Sequence, residues 1–336
     1  MEFTRINNNN LGIDMNESFV VTGGSGFIGS ALCDYLCQKY PNIQIINVSK
    51  HTYAVSPKMI KFLENYKNYK FVPLDIFDTV QLMALLRENN VKRIYHLAAE
   101  THVDRSFVYP RDFLVSNIEG TYSILEAIRS LKPRKRPRLY YMGTDEVFGV
   151  VKEGFKDETQ MTHPENPYAA TKVACEALIQ AWVASFKVPA VIGRSMNVYG
   201  ERQHPEKLIP KIITHLLSDK EYTLYKGNSL RGWSYVYDTA DAIDTIMTKG
   251  KIGEFYHIGP SAMKGVYGIN ETILNLMPDK RHLFKGYMGK RLKDDDRYAL
   301  SGTKLQHELG WIPKYTFEDG LKATIEWYMK NKELWQ

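Results

Sequence analysis

The sequence has few cysteines and no long apolar run. Its three cysteines, Cys33, Cys37 and Cys175, form no Cys-x-x-Cys pair. Because an odd number argues against a disulfide framework, we expect a reducing compartment, the cytoplasm, and no metal site. No stretch approaches the ~20 apolar residues that a membrane-spanning helix needs, so no membrane association is expected. Residues 1–17 are polar and include four consecutive asparagines, which predicts a disordered extension rather than a signal peptide.

The excess of positive charge is modest. The 336 residues include 44 Lys and Arg against 38 Asp and Glu, a net charge of +6. The basic run 132–138 stands between a helical stretch and an apolar strand, where a solvated loop is expected. Nucleic-acid binding is therefore the weaker non-enzyme alternative, and the same excess suits an anionic nucleotide substrate.

A glycine-rich turn joins the first strand to the first helix. Residues 19–22 have the pattern of a buried strand, and the turn 23–29 leads directly into a helical stretch. Gly23 allows a tight turn, Gly26 lets the backbone approach a pyrophosphate, and Gly29 permits close packing of helix on strand. The helix N-terminus favours an anion. The pattern predicts dinucleotide binding.

Strand and helix patterns alternate along the first 195 residues. The predicted strands after the first are 43–48, 70–73, 93–97, 139–142, 191–194, 221–225, 233–237 and 255–258, with helices near 30–39, 57–66, 79–89, 111–131 and 168–186. This alternation predicts the α/β class, with a Rossmann-type doubly wound parallel sheet and a smaller α/β substrate-binding lobe. We expect the dinucleotide-binding domain at 18–195 with returns near 232–258, and the lobe at 196–231 and 259–336.

Two pairs of reactive side chains follow the glycine turn. Tyr168 and Lys172 lie four residues apart on one helical face, and the lysine charge must outweigh desolvation if Tyr168 is to act as a base. The segment Thr144-Asp145-Glu146 offers an acid and a base with separable protonation states. Together they predict a pocket that removes a hydride, eliminates water and returns the hydride.

The candidate residues fall at the ends of predicted strands. Segments 96–101, 142–146 and 194–197 each end a strand. Because ligands bind beyond the carboxyl ends of parallel strands, these three segments are expected to meet at one cleft.

Four motifs carry a resemblance to a known family. They are 96–106 (HLAAETHVDRS), 144–149 (TDEVFG), 197–200 with 205–210 (NVYG and PEKLIP), and 309–311 (LGW). Over residues 19–327 the chain resembles the extended short-chain dehydrogenases/reductases, and specifically the nucleotide-sugar 4,6-dehydratases, including the dTDP-glucose enzymes and the dehydratase half of plant UDP-rhamnose synthases.

The resemblance implies a role for each catalytic residue. Tyr168 takes the proton from the sugar 4-hydroxyl, which Thr144 holds, while hydride passes from C4 to the nicotinamide. Glu146 removes the C5 proton and Asp145 protonates the departing 6-hydroxyl. Hydride then returns to C6, so the cofactor is regenerated in each cycle. Lys172 orients the ribose and tunes Tyr168.

The resemblance also implies two sets of binding residues. The cofactor set is Gly23, Gly26, Phe27, Ile28, Gly29, Ser49, Lys50, Asp75, Ile76, Leu97, Ala98, Ala99, Tyr168 and Lys172. The substrate set is Thr101, Thr144, Asn197, Lys207, Leu208, Arg231 and Arg291. The two arginines suit a diphosphate, because a guanidinium bonds two oxygens at once.

Some positions depart from the family pattern. Ser49 stands where NAD-binding members usually have an aspartate that bonds the ribose 2′-hydroxyl, so either NAD⁺ or NADP⁺ is expected. Met196, His204 and Asp294 also depart, in the sugar pocket. UDP-glucose, dTDP-glucose and UDP-N-acetylglucosamine stay open as substrates. A UDP-sugar is favoured because 197–200 and 252–254 look like the plant UDP enzymes. Inversion at C5 also stays open.

Other functions make different demands on the same positions. A nucleotide-sugar 4-epimerase or decarboxylase of this fold needs no acid at position 145. The presence of Asp145 therefore argues against both functions. A dinucleotide-sensing regulator would not need Tyr168 and Lys172. The stretches 112–131 and 168–186 mix aromatic, aliphatic and polar residues, which predicts a homodimer formed through a two-helix face.

Overall fold

The computed structural model describes residues 17–50, 57–227, 229–290 and 297–335. The predicted extension before residue 17 lies outside these residues, and so do Arg291 and Asp294.

Strands run through the whole described chain. They are β1 (Ser18–Thr22), β2 (Gln44–Ser49), β3 (Tyr69–Pro73), β4 (Val91–His96), β5 (Arg138–Thr144), β6 (Ala190–Ser195), β7 (Asn197–Tyr199), β8 (Tyr222–Lys226), β9 (Leu230–Tyr235), β10 (Phe255–Ile258), β11 (Ala262–Lys264), β12 (Phe284–Lys290) and β13 (Arg297–Tyr298).

Helices alternate with these strands. They are α1 (Phe27–Lys39), α2 (Pro57–Leu63), α3 (Thr79–Glu88), α4 (Val103–Val108), α5 (Pro110–Phe113), α6 (Gly120–Arg129), α7 (Pro167–Phe186), α8 (Leu208–Leu217), α9 (Val236–Lys249), α10 (Val266–Leu276), α11 (Thr303–Leu309), α12 (Phe317–Lys330) and α13 (Lys332–Trp335). A π-helical segment, Leu114–Glu119, joins α5 to α6, and short 3-10 turns lie at Pro133–Lys135, Asp145–Phe148 and Pro278–Leu283.

Seven strands form one parallel sheet in the order β3-β2-β1-β4-β5-β6-β10. The chain leaves β3 at one edge and crosses to β4 beside β1, so the direction of winding reverses between β1 and β4. Crossovers from opposite sides leave a crevice at that point, beyond the carboxyl ends of the strands. The fold is Rossmann-type α/β, which confirms the predicted class.

Apolar side chains cover both faces of this sheet. On one face α1, α9 and α11 bury a cluster that includes Leu32, Leu36 and Ile243. On the other, α3, α6 and α7 bury a cluster that includes Leu85 and Ile124. Strands β1, β5 and β6 are therefore buried along almost their whole length, without the alternation of a half-exposed sheet.

A smaller lobe is built from later segments. Strand β9 pairs with β11 antiparallel and with β7 and β13 in parallel, and β8 pairs with β12. Helices α8, α10 and α12 contribute a third core, which includes Ile212, Ile273 and Phe317. The exact domain boundaries stay a prediction.

One predicted strand is wrong at its end. The strand expected at 233–237 ends at Tyr235, and α9 begins at Val236. Asp238 lies in the first turn of this helix, where a carboxylate interacts favourably with the positive end of the helix dipole. Among the described residues, none of the helices is both long and apolar enough for a bilayer span.

Candidate active site

A cavity of about 520 Å³ lies at the carboxyl ends of the parallel strands. It gathers almost all of the predicted site residues. They are Gly23, Gly26, Phe27, Ile28, Gly29, Ser49, Lys50, Asp75, Ile76, Leu97, Ala98, Ala99, Thr101, Thr144, Asp145, Glu146, Tyr168, Lys172, Asn197 and Lys207. Leu208 and Arg231 are described but do not line it.

The glycine turn forms one wall of this cavity. Gly23 has φ +73°, and a Cβ there would lie 2.7 Å from the backbone nitrogen of Ala98. A Cβ on Gly29 would collide with the carbonyl oxygen of Gly23. Gly26 caps α1 without any side-chain hydrogen bond. The helix N-terminus is therefore open to an anion at the cavity wall.

The end of β2 carries a hydroxyl that is already engaged. Ser49 Oγ donates to Asn47 Oδ1 at 2.9 Å and accepts the backbone N–H of Ser25 at 3.3 Å. Lys50 Nζ lies 3.3 Å from the Asp75 carboxylate, so a negative charge already offsets this lysine. The region therefore presents a compensated charge pair rather than an unopposed cation.

Tyr168 and Lys172 are buried on the first turns of α7. Lys172 Nζ donates to the carbonyl oxygen of Met142 at 2.7 Å and lies 4.7 Å from the centre of the Tyr141 ring. Burial lowers the pKa of Lys172 to about 8, against the attraction of Cys175 and Glu176. It keeps its ammonium at neutral pH.

The tyrosine does not behave as expected from its spacing alone. Burial raises the pKa of Tyr168 far above its usual range, the charge of Glu146 adds to this, and a hydrogen bond with Thr144 opposes it. In this structure the lysine charge does not outweigh desolvation, because Lys172 directs its ammonium to the Met142 carbonyl.

Asp145 is a buried carboxyl group at the end of β5. Thr144 Oγ1 donates to Asp145 Oδ1 at 3.2 Å, while Oδ2 is buried with no hydrogen-bond partner among the described residues. Burial, and then the charge of Glu146, raises the pKa of Asp145 to about 7, while Arg231 and Thr144 act in the opposite direction. Asp145 can therefore hold a proton near neutral pH, as a general acid must.

Glu146 is held by a residue that the sequence analysis missed. Asn166 Nδ2 donates to Glu146 Oε2 at 2.8 Å, and Asn166 Oδ1 accepts the backbone N–H of Ala169 as the N-cap of α7. An asparagine directly before Pro-Tyr at a helix start is an N-cap pattern, and this signal could have found it.

The opposite end of the cavity is more exposed. Lys207 pairs with Glu206 at 3.5 Å, with both side chains about half exposed. Leu208 is the first residue of α8 and packs against the core of the smaller lobe. The Arg231 guanidinium lies 5.2 Å from the centre of the Tyr298 ring and helps to lower the pKa of Asp145, so its charge reaches the catalytic end.

The cavity has further lining residues to which the sequence analysis gave no role. His102 has a buried Nδ1 without a hydrogen bond among the described residues. Tyr328 donates to the carbonyl oxygen of Gln203, and Trp335 Nε1 donates to the carbonyl oxygen of Tyr328 at 2.8 Å. These aromatic residues return from the end of the chain, so only tertiary structure brings them here. No cluster of three or more potential metal ligands occurs among the described residues.

Comparisons with known proteins identify the family of the chain. The family described as GDP-mannose 4,6 dehydratase matches residues 20–324. The dTDP-D-glucose 4,6-dehydratase of Homo sapiens is 36% identical over 323 residues, covering 94% of this chain and 91% of that protein. The dTDP-glucose 4,6-dehydratase of Escherichia coli is 36% identical over 345 residues, covering 94% of this chain and 95% of that protein.

A solved structure is similarly close. The crystal structure of dTDP-glucose 4,6-dehydratase from Bacillus anthracis in complex with NAD has a TM-score of 0.86 and 34% identity, and covers 95% of this chain and 98% of that chain. The family match and these identities over almost the whole length confirm the resemblance carried by the four motifs. The chain therefore belongs to the family of nucleotide-sugar 4,6-dehydratases, which are hydro-lyases.

Proposed function

We propose that this protein converts a pyrimidine nucleoside diphosphate glucose to the 4-keto-6-deoxy sugar and water. The observation that carries the proposal is the pair of adjacent carboxyl groups at the end of β5. Asp145 has a pKa of about 7 and can donate a proton, while Glu146 is fixed in the same cavity by Asn166. Tyr168 and Lys172 line that cavity as well.

The cavity fits a bound dinucleotide. The open N-terminus of α1 suits its pyrophosphate. Because Gly23 has no side chain, the backbone of Ala98 can lie close to the glycine turn at the cavity wall. When bound, the nicotinamide would supply hydride chemistry, accepting hydride from C4 and returning it to C6. We propose NAD⁺, which the Bacillus anthracis structure contains, with NADP⁺ as the second outcome because Ser49 carries no negative charge.

The first half of the reaction belongs to Tyr168 and Thr144. Tyr168 takes the proton of the sugar 4-hydroxyl as hydride leaves C4, and Thr144 bonds that hydroxyl. A base must lose its own proton first, so the raised pKa of Tyr168 has to fall when substrate binds. Lys172 is the ammonium on the same helical face that can lower it.

The elimination belongs to the two carboxyl groups. Glu146 removes the proton on C5, which the 4-ketone acidifies. The electron pair of that C–H bond forms the C5=C6 double bond, the C6–O bond breaks, and Asp145 gives its proton to the departing hydroxyl to make water. Hydride then adds to C6, and C5 regains a proton.

We propose UDP-glucose as the preferred substrate, with dTDP-glucose as the competing one. The likeness of 197–200 and 252–254 to the plant UDP enzymes supports uridine. The names of the relatives, all dTDP-glucose enzymes, support thymidine. The two substrates carry the same glucose and differ only in the nucleoside, so Asp145 and Glu146 would act in the same way on both.

One experiment tests the function directly. Purified protein is incubated with UDP-glucose, dTDP-glucose and UDP-N-acetylglucosamine, and loss of one water is followed by mass spectrometry. The configuration at C5 is then assigned by NMR. We expect dehydration of the glucose nucleotides, fastest for UDP-glucose. Formation of a 4-epimer without water loss would contradict the proposal.

We also propose a homodimer. Exposed apolar side chains cluster on α4 to α7, among them Phe107, Leu114, Tyr122 and Phe186. Two copies of this face can cover each other about a dyad, as is usual for homodimers. Sedimentation at working concentration should give twice the chain mass, and a monomer would contradict this. Cytoplasmic location stays a prediction.

A further inference from the structure

Asn166 makes two hydrogen bonds with two different atoms. Its Oδ1 accepts the backbone N–H of Ala169 at 2.8 Å, and its Nδ2 donates to Glu146 Oε2 at 2.8 Å. The first bond caps α7, the helix that carries Tyr168. The second bond reaches the end of β5. A single buried side chain therefore ties the helix of the tyrosine to the carboxylate of Glu146.

Few other side chains can make both bonds. The cap needs an acceptor and Glu146 needs a donor, and the asparagine amide supplies one of each on a short stem. Aspartate would keep the cap but set a second negative charge against Glu146. Serine would keep the cap, since it is about as good an N-cap as asparagine, but its O–H would have to donate from the oxygen that already accepts the cap bond, one atom nearer the main chain than the amide Nδ2.

One oxygen of Glu146 is thereby held in place. Oε2 is fixed by the amide of Asn166. Glu146 lines the cavity, whereas Asn166 is not among the lining residues in the described part of the chain. Anchoring one oxygen in this way restricts the orientation of the whole carboxylate.

We propose that Asn166 is a positioning residue for the elimination half of the reaction, holding the Glu146 carboxylate toward the C5 proton. Because the same amide caps α7, it fixes Glu146 relative to Tyr168, so the base for C5 and the base for the 4-hydroxyl keep one spacing. This rests on the proposed dehydration, and it assigns the amide donor of Asn166 to the second step only.

The Asn166→Ser variant separates the cap from the amide donor. Oxidation at C4 should stay within about threefold of wild type, because the helix cap and Tyr168 are retained. Water loss should fall about tenfold to a hundredfold, the cost of a misplaced catalytic group. As a result, reduced nicotinamide should accumulate after the holoenzyme is mixed with the glucose nucleotide that wild type turns over best.

Two readouts are taken in a single turnover. Near-ultraviolet absorbance follows the reduced nicotinamide, and loss of deuterium from C5-deuterated substrate follows the action of Glu146. Asn166→Ala removes both the cap and the donor and should slow both steps. Asp78→Ser is the matched control, because Asp78 caps α3 through Gln81, outside the cavity, and should slow neither step.

The outcomes separate this inference from the proposed function. If wild type loses water and Asn166→Ser does so at the same rate, Asn166 serves the helix cap alone and the inference is wrong. Equal slowing of C4 oxidation and C5 exchange in Asn166→Ser would likewise overturn it. If wild type itself fails to lose water, the proposed function falls, and the role in elimination falls with it.

Discussion

The two ends of the cavity are built differently. At the catalytic end, Thr144, Asp145, Tyr168 and Lys172 are each less than 10% exposed and sit at the end of a central strand or on the first turns of α7. At the nucleotide end, the Lys207 side chain is 47% exposed. Charges at the first end act in a poorly solvated space, whereas solvent screens those at the second. The comparison teaches that the buried catalytic end is preorganised, whereas the exposed nucleotide end is adjustable. We therefore expect substitutions at the first end to change kcat and substitutions at the second end to change KM.

The largest effect should follow from changing the base. Glu146→Gln keeps the shape of the side chain and the contact with Asn166 but cannot accept the C5 proton. Loss of water should slow by about 10²–10⁴-fold, while reduction of the bound cofactor by substrate continues. Stopped-flow absorbance of the nicotinamide and mass spectrometry of the product measure the two steps. Unchanged turnover would exclude Glu146 as the base.

The pH dependence of water loss tests the neighbouring carboxyl group, Asp145. In the proposed mechanism Asp145 must be protonated to release water, and burial raises its pKa to about 7, so the active fraction falls as pH rises through that value. Because the protonated fraction drops about tenfold per pH unit above the pKa, water loss should fall on the order of a hundredfold between about pH 7 and pH 9. Single-turnover rates of water loss across this range measure it.

Oxidation at C4 provides the internal reference. In the proposed mechanism that step needs Tyr168 without its proton and does not need a protonated Asp145, so it should not slow as the pH rises from about 7 to 9. Coincident pH profiles for the two steps would argue that Asp145 is not the acid.

The sequence predicted which residues meet at the catalytic end, but it did not predict their pKa values. Strand-end segments and the Tyr168–Lys172 spacing placed five groups in one cavity, because parallel strands bring their carboxyl ends to one edge. Desolvation could not be predicted in the same way. The raised pKa of Tyr168 and the bond from Lys172 to Met142 depend on how α7 packs against β5, which no local pattern encodes.

The sequence could not predict that Tyr328 and Trp335 line the cavity, for a related reason. The hydrogen bond from Tyr328 to Gln203 joins residues 125 positions apart. Periodicity reports which face of a helix is apolar, but not which distant loop that face will meet. The end of β9 was missed because its aromatic and β-branched residues continue unchanged into α9.

A smaller effect is expected at the nucleotide end. Lys207→Ala removes a half-exposed ammonium, so KM for the nucleotide sugar should rise about tenfold with kcat within about threefold, consistent with the loss of one charge-assisted hydrogen bond. Steady-state kinetics at two salt concentrations measures this, since screening should shrink the difference. Lys220→Ala, an exposed lysine beyond α8, is the control. A fall in kcat with unchanged KM would place Lys207 among the catalytic groups and break the comparison.

The smallest effect concerns the adenosine end of the cofactor site. Ser49→Asp places a carboxylate where the wild-type hydroxyl bonds Asn47 and the Ser25 N–H. That charge would repel a 2′-phosphate and accept a hydrogen bond from a 2′-hydroxyl, so the ratio of NAD⁺ to NADP⁺ affinity should rise about tenfold or less. Titration of apo-protein with both cofactors, for wild type and variant, measures the ratio. The cofactor is used twice in each cycle and returned unchanged, so a change in how its adenosine is held should leave the elimination rate of the loaded enzyme as it was. A slower elimination step would show that the adenosine end is coupled to the carboxyl groups, and the division of the cavity into a preorganised and an adjustable end would then be too simple.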